Sequence, residues 1–358
     1  MKFPSFLLFS LTLAASVFGE PIQSVPGNAP EISYEGRTVV TPEGTVRLGY
    51  AGIVTRVNFR GTGVSMHTRT SSDELYLDVS LDHTAPVFVK VPKGESDVVL
   101  AQDLPTGEHG VTIHKRIEAG VGILDIVSLA VTGELLAPTL LPERRLMFLG
   151  DSFTSGQATT VEDGGPPMHP SKTMRQNARL CYGRLLADRL HAQSHINAVA
   201  GKGIMRDWQG LRNVRLAPEY FDNALPDDPT TRWDPRAYVP DVIGVCLGNN
   251  DFDGSAPDQV DYIRLYGLFI RKLRSEAPNA HIFLITSPSL TDEPNEVPLR
   301  SVQYAYLQEV ARQLADSHIH VVQLAHYAGV PNDWHPSGTA HRAVADELEP
   351  LIRQALKW

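Results

Sequence analysis

The sequence predicts two domains of different class: an N-terminal β-sandwich of the jelly-roll kind, then an α/β domain on a parallel, flavodoxin-like sheet. Three observations carry this. From about Ile32 to Thr132 apolar and polar residues alternate with period two; from Glu143 onward strand-like runs alternate with helical stretches; and a Pro- and Leu-rich connector, Gly133 to Pro142, lies between. With 358 residues, 42% hydrophobic and 20% charged, the chain can bury a full core.

Residues 1–19 carry Lys2 near their start, continue through the apolar run Phe6 to Ala15 and leave by Val17-Phe18-Gly19. A charged start, a short apolar middle and a small-residue exit are expected of a secretory signal peptide, so the protein is expected to be secreted, extracellular or periplasmic. No later stretch has the length of a membrane span, and no membrane partner is expected after cleavage. The net charge of -9 argues against nucleic acid, which needs concentrated Lys and Arg. Cys181 and Cys246 are the only cysteines; they read as two buried thiols, with one bridge possible.

Residues 30–135 form the expected sandwich. Val54-Thr55-Arg56-Val57-Asn58-Phe59, Leu75 to Leu81, Val87 to Val91 and Val111 to His114 alternate between turn residues, and the scattered His67, His83, His109 and His114 read as structural or surface groups. Residues 143–358 form the second domain. Its strands are expected at Arg145–Gly150, His195–Val199, Val242–Leu247, His281–Thr286 and Ile319–Gln323. Helices are expected at Thr173–His191, Tyr262–Ala277, Val302–Ser317 and Ser337–Leu356. Met205 to Tyr238, rich in Pro, Asp and Trp, is expected to be a long ordered loop near the site.

The residues that follow these strands point to chemistry. In an open α/β sheet ligands bind outside the carboxyl ends of the strands. The first strand ends in Gly150-Asp151-Ser152, the second runs into Ala200-Gly201, the third into Gly248-Asn249-Asn250-Asp251, and the last leads to Asp333-Trp334-His335. A hydroxyl, an imidazole to take its proton, and donors aimed at an oxyanion are what acyl transfer needs. Ser152 is the expected nucleophile and His335 the base, with the N–H groups of Ser152 and Gly201 and the Asn250 amide as the oxyanion hole. His341 competes with His335, but its register places it inside the last helix. Gly201-Lys202-Gly203 lacks the length and the following Ser or Thr of a phosphate loop, and the thirteen histidines show no metal-binding spacing, so neither metal nor cofactor is expected.

These four blocks, in this order and on these elements, resemble the SGNH (GDSL-type) hydrolases. A leading β-sandwich with Tyr34-Glu35-Gly36-Arg37 near its start makes the chain similar to carbohydrate esterase family 2. The resemblance implies a monomeric serine esterase that removes O-acetyl groups from plant cell-wall polysaccharides such as xylan or glucomannan, or from oligosaccharides, with a preference for the 6-position of hexoses. The SGNH pattern places its acid three residues before the histidine, where this chain has Asn332. Asp333 is the expected orienter of His335, with a backbone carbonyl, as in some family members, as the other option. Trp334 and Trp233 are the expected sugar-stacking residues, whereas Trp208 suits core packing as well. Three other functions stay open at this point: a lipase or thioesterase, a peptidoglycan O-acetylesterase, and a carbohydrate-binding protein with an inert hydrolase half.

Overall fold

The computed structural model describes residues 21–163, 171–293 and 297–358; the expected signal peptide at 1–19 lies outside them. Its N-terminal part holds β1 (Ile22–Pro26), β2 (Ile32–Glu35), β3 (Thr38–Val40), β4 (Val46–Leu48), β5 (Val54–Thr70), β6 (Leu75–Leu81), β7 (Val87–Val91), β8 (Gly94–Ala101), β9 (Gly107–Lys115) and β10 (Leu124–Leu135). Every pairing among these ten strands is antiparallel. The strand expected to stop at Phe59 instead runs 17 residues, to Thr70. Its first half pairs with β2 and β9 and its second half with β8, while β10 lies along most of its length. Gly61 and Gly133 make that crossing possible, since a Cβ at Gly61 would lie 1.8 Å from the Thr132 carbonyl oxygen and one at Gly133 2.0 Å from that of Arg60. β1 pairs with β10 from Ile22↔Thr132 to Pro26↔Ser128, so ordered strand begins ahead of residue 30.

The second part carries a parallel sheet of β11 (Arg144–Gly150), β12 (Ala192–Ala198), β13 (Val242–Cys246), β14 (His281–Ile285) and β15 (Ile319–Val322), in the order β12-β11-β13-β14-β15. The chain moves from β11 to one side and then to the other, which opens a crevice at the carboxyl end of β11. Period-two alternation sends Met147 and Leu149 to one face of β11 and Leu146 and Phe148 to the other, all buried. Burying each such side chain contributes roughly 1.5–3 kcal/mol. Helices α4 (Gln259–Glu276) and α5 (Leu299–Leu314) cover the first face through Tyr262, Tyr266, Phe269, Leu273, Leu307 and Val310. Helices α2 (Tyr182–Leu190) and α6 (Gly338–Leu356) cover the second through Leu186, Leu190, Val344, Leu348 and Ile352. The spacing of three and four residues in these sets is that of one helix face.

The single helix expected over Thr173–His191 is broken. It divides into α1 (Lys172–Arg175), a 3-10 turn Ala178–Leu180 and α2, with Gln176 and Asn177 extended between them. The reason is tertiary. The Arg116 guanidinium donates to the Met174 carbonyl at 3.1 Å, and Asn177 Nδ2 donates to Asp78 at 2.8 Å, which holds the backbone out of the helix. Both partners come from the sandwich. The long segment Met205 to Tyr238 is ordered, with the short helix α3 (Ala217–Tyr220) inside it.

Polar contacts fuse the two parts. Buried Glu35 accepts the Ser194 N–H at 2.7 Å, satisfying an edge group of β12, and pairs with Arg184 and with Arg56. Burial pushes the Glu35 carboxyl up, but the two guanidiniums and the Ser194 N–H outweigh it and leave it below its ordinary value. Buried Arg37 donates to the Phe221 carbonyl, and Tyr50 donates its hydroxyl hydrogen to the Tyr220 carbonyl at 3.0 Å. One hydrophobic core runs continuously from the sandwich into the sheet. The Tyr34-Glu35-Gly36-Arg37 motif is therefore part of the seam.

Candidate active site

Ser152 stands two residues past the end of β11, in a tight turn. The Ser152 carbonyl accepts the Gln157 N–H at 3.0 Å and the Asp151 carbonyl that of Ser155 at 3.0 Å. The opposite wall comes from the loop ahead of α6. In it the Asp333 N–H donates to the Val330 carbonyl, and the Val330 N–H to the His335 carbonyl, both at 3.0 Å. Ser337 then caps α6, its hydroxyl accepting the Ala340 N–H at 3.2 Å. This pinched loop aims Asp333 and His335 at one another.

The three side chains form a continuous chain. Ser152 Oγ lies 2.7 Å from His335 Nε2, and His335 Nδ1 lies 2.5 Å from Asp333 Oδ1. With Asp333 accepting from Nδ1–H, Nε2 is left as the acceptor that faces the hydroxyl. Asn332, in a left-handed conformation with φ +61°, is exposed and makes no contact with the imidazole among those described. Behind Asp333, Arg175 places Nη2 3.3 Å from Oδ2. That is a contact between charges, since Asp333 Oδ2 has no hydrogen-bond partner among the described residues. Burial pushes the Asp333 carboxyl up, yet the His335 hydrogen bond, its charge, and Arg175 and Lys172 bring it below its ordinary value.

Two backbone donors at the strand ends are unclaimed. Among the described residues the N–H groups of Ser152 and Gly201 have no protein acceptor. Gly201 has φ +73°, and a Cβ there would lie 2.6 Å from Trp208 Cδ1. The third expected donor is engaged: Asn250 Nδ2 donates to Asp151 Oδ2 at 3.1 Å and to the Lys202 carbonyl at 3.2 Å. Both neighbours are acceptors, so the orientation of this amide is forced. Asp151 and Asp251 are buried and bond backbone N–H groups, one of the two roles, surface or backbone-bonding, expected of them from their sequence position. Asp151 braces Asn250, and Asp251 accepts the N–H groups of Ile204, Met205 and Arg206. Burial pushes Asp151 up to about 7, against the opposing pull of the Phe153 N–H and His335.

The remaining candidates separate. His341 is buried against Phe153, its Nδ1 accepts the Tyr182 N–H at 3.2 Å, and burial pushes it down to about 3, so it is a neutral core histidine. Trp334 is 83% exposed beside His335, with Lys172 Nζ 5.4 Å from its ring. It borders an open groove of about 560 Å³ shared with Asn249, Asp253, Ser289, Thr291 and Asn332. Trp233 is a correction. Its ring packs at 5.1 Å on the buried Arg37 guanidinium and edge-on to His195, near Pro240 and Ile243 at the amino ends of the strands, away from Ser152. A cation–π contact with a buried cation holds it there. Trp208, 59% exposed against Gly201, is the second indole of the site. Neither Arg175 nor the brace of Asp151 on Asn250 carries a signal in the sequence, since each partner is distant along the chain. Cys181 and Cys246 are both buried and free.

Such a site can activate a hydroxyl, attack a carbonyl and receive an oxyanion on backbone amides. Known proteins share the fold. Residues 34–139 match the model of the carbohydrate esterase 2 N-terminal domain, and residues 148–343 that of the GDSL-like lipase/acylhydrolase family. An acetylxylan esterase/glucomannan deacetylase of Cellvibrio japonicus is 30% identical over 337 residues, 94% of this chain and 92% of that protein. The structure of a family two carbohydrate esterase from the same organism superposes with a TM-score of 0.88 at 29% identity, covering 95% of this chain and 99% of that one. A family two carbohydrate esterase from Clostridium thermocellum, solved in complex with cellohexaose, gives 0.82 at 26% identity over 91% and 99%. Both domains match known ones in sequence and in fold: the chain belongs to carbohydrate esterase family 2, the SGNH carboxylic ester hydrolases that deacetylate carbohydrates.

Proposed function

We propose that this protein is a secreted acetyl esterase that removes O-acetyl groups from cell-wall polysaccharides, xylan and glucomannan first, through an acyl-enzyme on Ser152. The hydrogen-bonded chain Ser152–His335–Asp333 is the observation that carries it. Ser152 Oγ attacks the acetyl carbonyl as its proton passes to His335 Nε2, while Asp333 steadies the resulting imidazolium. The oxyanion accepts from the N–H groups of Ser152 and Gly201, and from Asn250 as one of its hydrogens turns away from the Lys202 carbonyl. The tetrahedral adduct collapses, the C–O bond to the sugar breaks, and the sugar oxygen leaves with the proton from Nε2. Water then gives a proton to His335 and attacks the acyl carbon, releasing acetate and restoring Ser152.

The groove beside Trp334 sets the polar Asn249, Asp253, Ser289 and Thr291 among the apolar Leu290, Leu299 and Val330, a mixture that suits the hydroxyls and the ring faces of a sugar. Trp334 and Trp208 offer flat faces for a sugar ring. The seam of Glu35, Arg37 and Tyr50 speaks against a sandwich that works as a separate binding module. The test is acetate release by the purified protein from acetylated xylan, acetylated glucomannan and acetylated peptidoglycan, with Ser152→Ala alongside. Release from the plant polymers that disappears in the variant supports the proposal. Release from peptidoglycan alone, or an unimpaired variant, overturns it.

A further inference from the structure

A carboxylate of the sandwich reaches the loop that carries Gly201. Glu118 lies in the turn after β9, and its Oε2 accepts the N–H of Ala200 at 2.6 Å. Ala200 immediately precedes Gly201. On the far side of the same short loop, the Gly201 carbonyl accepts the Trp208 N–H at 2.9 Å. The loop is thus tied at both ends, with the unclaimed Gly201 N–H between the ties.

The anchor itself is rigid. The Glu118 carbonyl accepts the N–H groups of Val121 and Gly122 at 3.3 Å. Buried Lys115 donates to the Gly49 carbonyl at 2.8 Å and to that of Ile117 at 2.5 Å, and the Ala178 N–H donates to the Arg116 carbonyl at 3.0 Å. A carboxylate taken out of water is costly unless its bonds repay it, and Ala200 is the partner found for this one across the seam.

We infer that Glu118 is a positioning residue of the oxyanion hole, supplied by the sandwich, which sets the direction of the Gly201 N–H by holding Ala200. A planar peptide leaves the Gly201 N–H only two torsions away from the bond that Glu118 makes. A displacement of a few tenths of an ångström there weakens the bond to the oxyanion, which counts in the transition state and little in the bound ester. The role depends on an acceptor at the right reach, and a neutral carboxamide oxygen would serve.

The inference rests on the acyl-enzyme reading, so the assay is p-nitrophenyl acetate hydrolysis with Ser152→Ala as an independent control. Glu118→Ala is expected to lower kcat by roughly 10- to 100-fold, short of the 10²–10³ lost with an oxyanion donor itself, with KM within about twofold. Glu118→Asp, which keeps the charge and withdraws the acceptor, is expected to lose about tenfold, and Glu118→Gln to stay within about threefold of the parent. The two conservative variants decide the matter should Glu118→Ala fail to fold. Glu118→Asp with the parent's kcat, or Glu118→Gln falling as far as Glu118→Asp, overturns the inference. An inactive Ser152→Ala beside an unimpaired Glu118→Asp removes the role of Glu118 alone and leaves the nucleophile in place.

Discussion

Asn250 Nδ2 stands 3.1 Å from Asp151 Oδ2, and both residues are buried. Burial pushes Asp151 from its ordinary 3.8 up to about 7, so the folded protein holds this proton more tightly than the unfolded chain does. The stabilisation is complete below about pH 4 and is lost as pH rises through 7. Asp151→Asn removes that dependence. Its urea midpoint relative to the parent is expected to be higher at pH 8 than at pH 4.5, while kcat falls about tenfold because Asn250 is held by a weaker acceptor. A midpoint difference that does not change with pH would contradict this account.

Asp333 is two residues from His335, and its Oδ1 reaches Nδ1 at 2.5 Å. Asp333→Asn keeps the shape and loses both the charge and control of the tautomer. A fall in kcat of about 10⁴-fold is expected in steady-state hydrolysis of an acetyl ester. A loss of less than tenfold would shift the support of His335 to a backbone carbonyl.

Gly201 pairs a left-handed backbone with an indole at its α-carbon. Gly201→Ala is expected to cost about 1–2 kcal/mol in backbone strain, visible as a lower Tm. It should also lower kcat by about 10²-fold by moving an oxyanion donor. Adding Trp208→Ala relieves the clash but not the strain, so the double variant should regain activity more than stability.

Glu35 is the acceptor for two guanidiniums and one backbone N–H. Glu35→Ala leaves the buried Arg184 facing the seam without it, which is expected to cost about 3–5 kcal/mol. Calorimetry of the parent should show one cooperative transition for both halves, and the variant should shift that transition downward. Two resolved transitions in the parent would mean that the halves unfold independently.

The residues at the strand ends were legible because their logic is local. A strand that empties into Gly150-Asp151-Ser152, and a histidine just ahead of a capped helix, each declare their place in the fold from a few neighbours. Contacts across the seam were not. Asp78 meets Asn177 from 99 residues away, and that bond breaks a helix which periodicity alone would continue. A separation of 82 residues from Ala200 likewise hid Glu118, whose surroundings in sequence are an ordinary turn. Trp233 shows the limit from the other side: an aromatic in a long loop does not reveal which end of the sheet it covers, and buried Arg37 decided it.

The four tryptophans are unevenly distributed between water and protein. Trp334, beside His335, and Trp208, beside Gly201, lie in the open, whereas Trp233 is packed against Arg37 and Trp358 against Arg144. The enzyme therefore carries its own optical gauge of occupancy. A glycan settling over the two open indoles would shift their emission to the blue and shield them from a soluble quencher, with the two packed indoles as an unchanging reference. Binding can be followed in this way on an enzyme whose nucleophile has been removed, with no label attached.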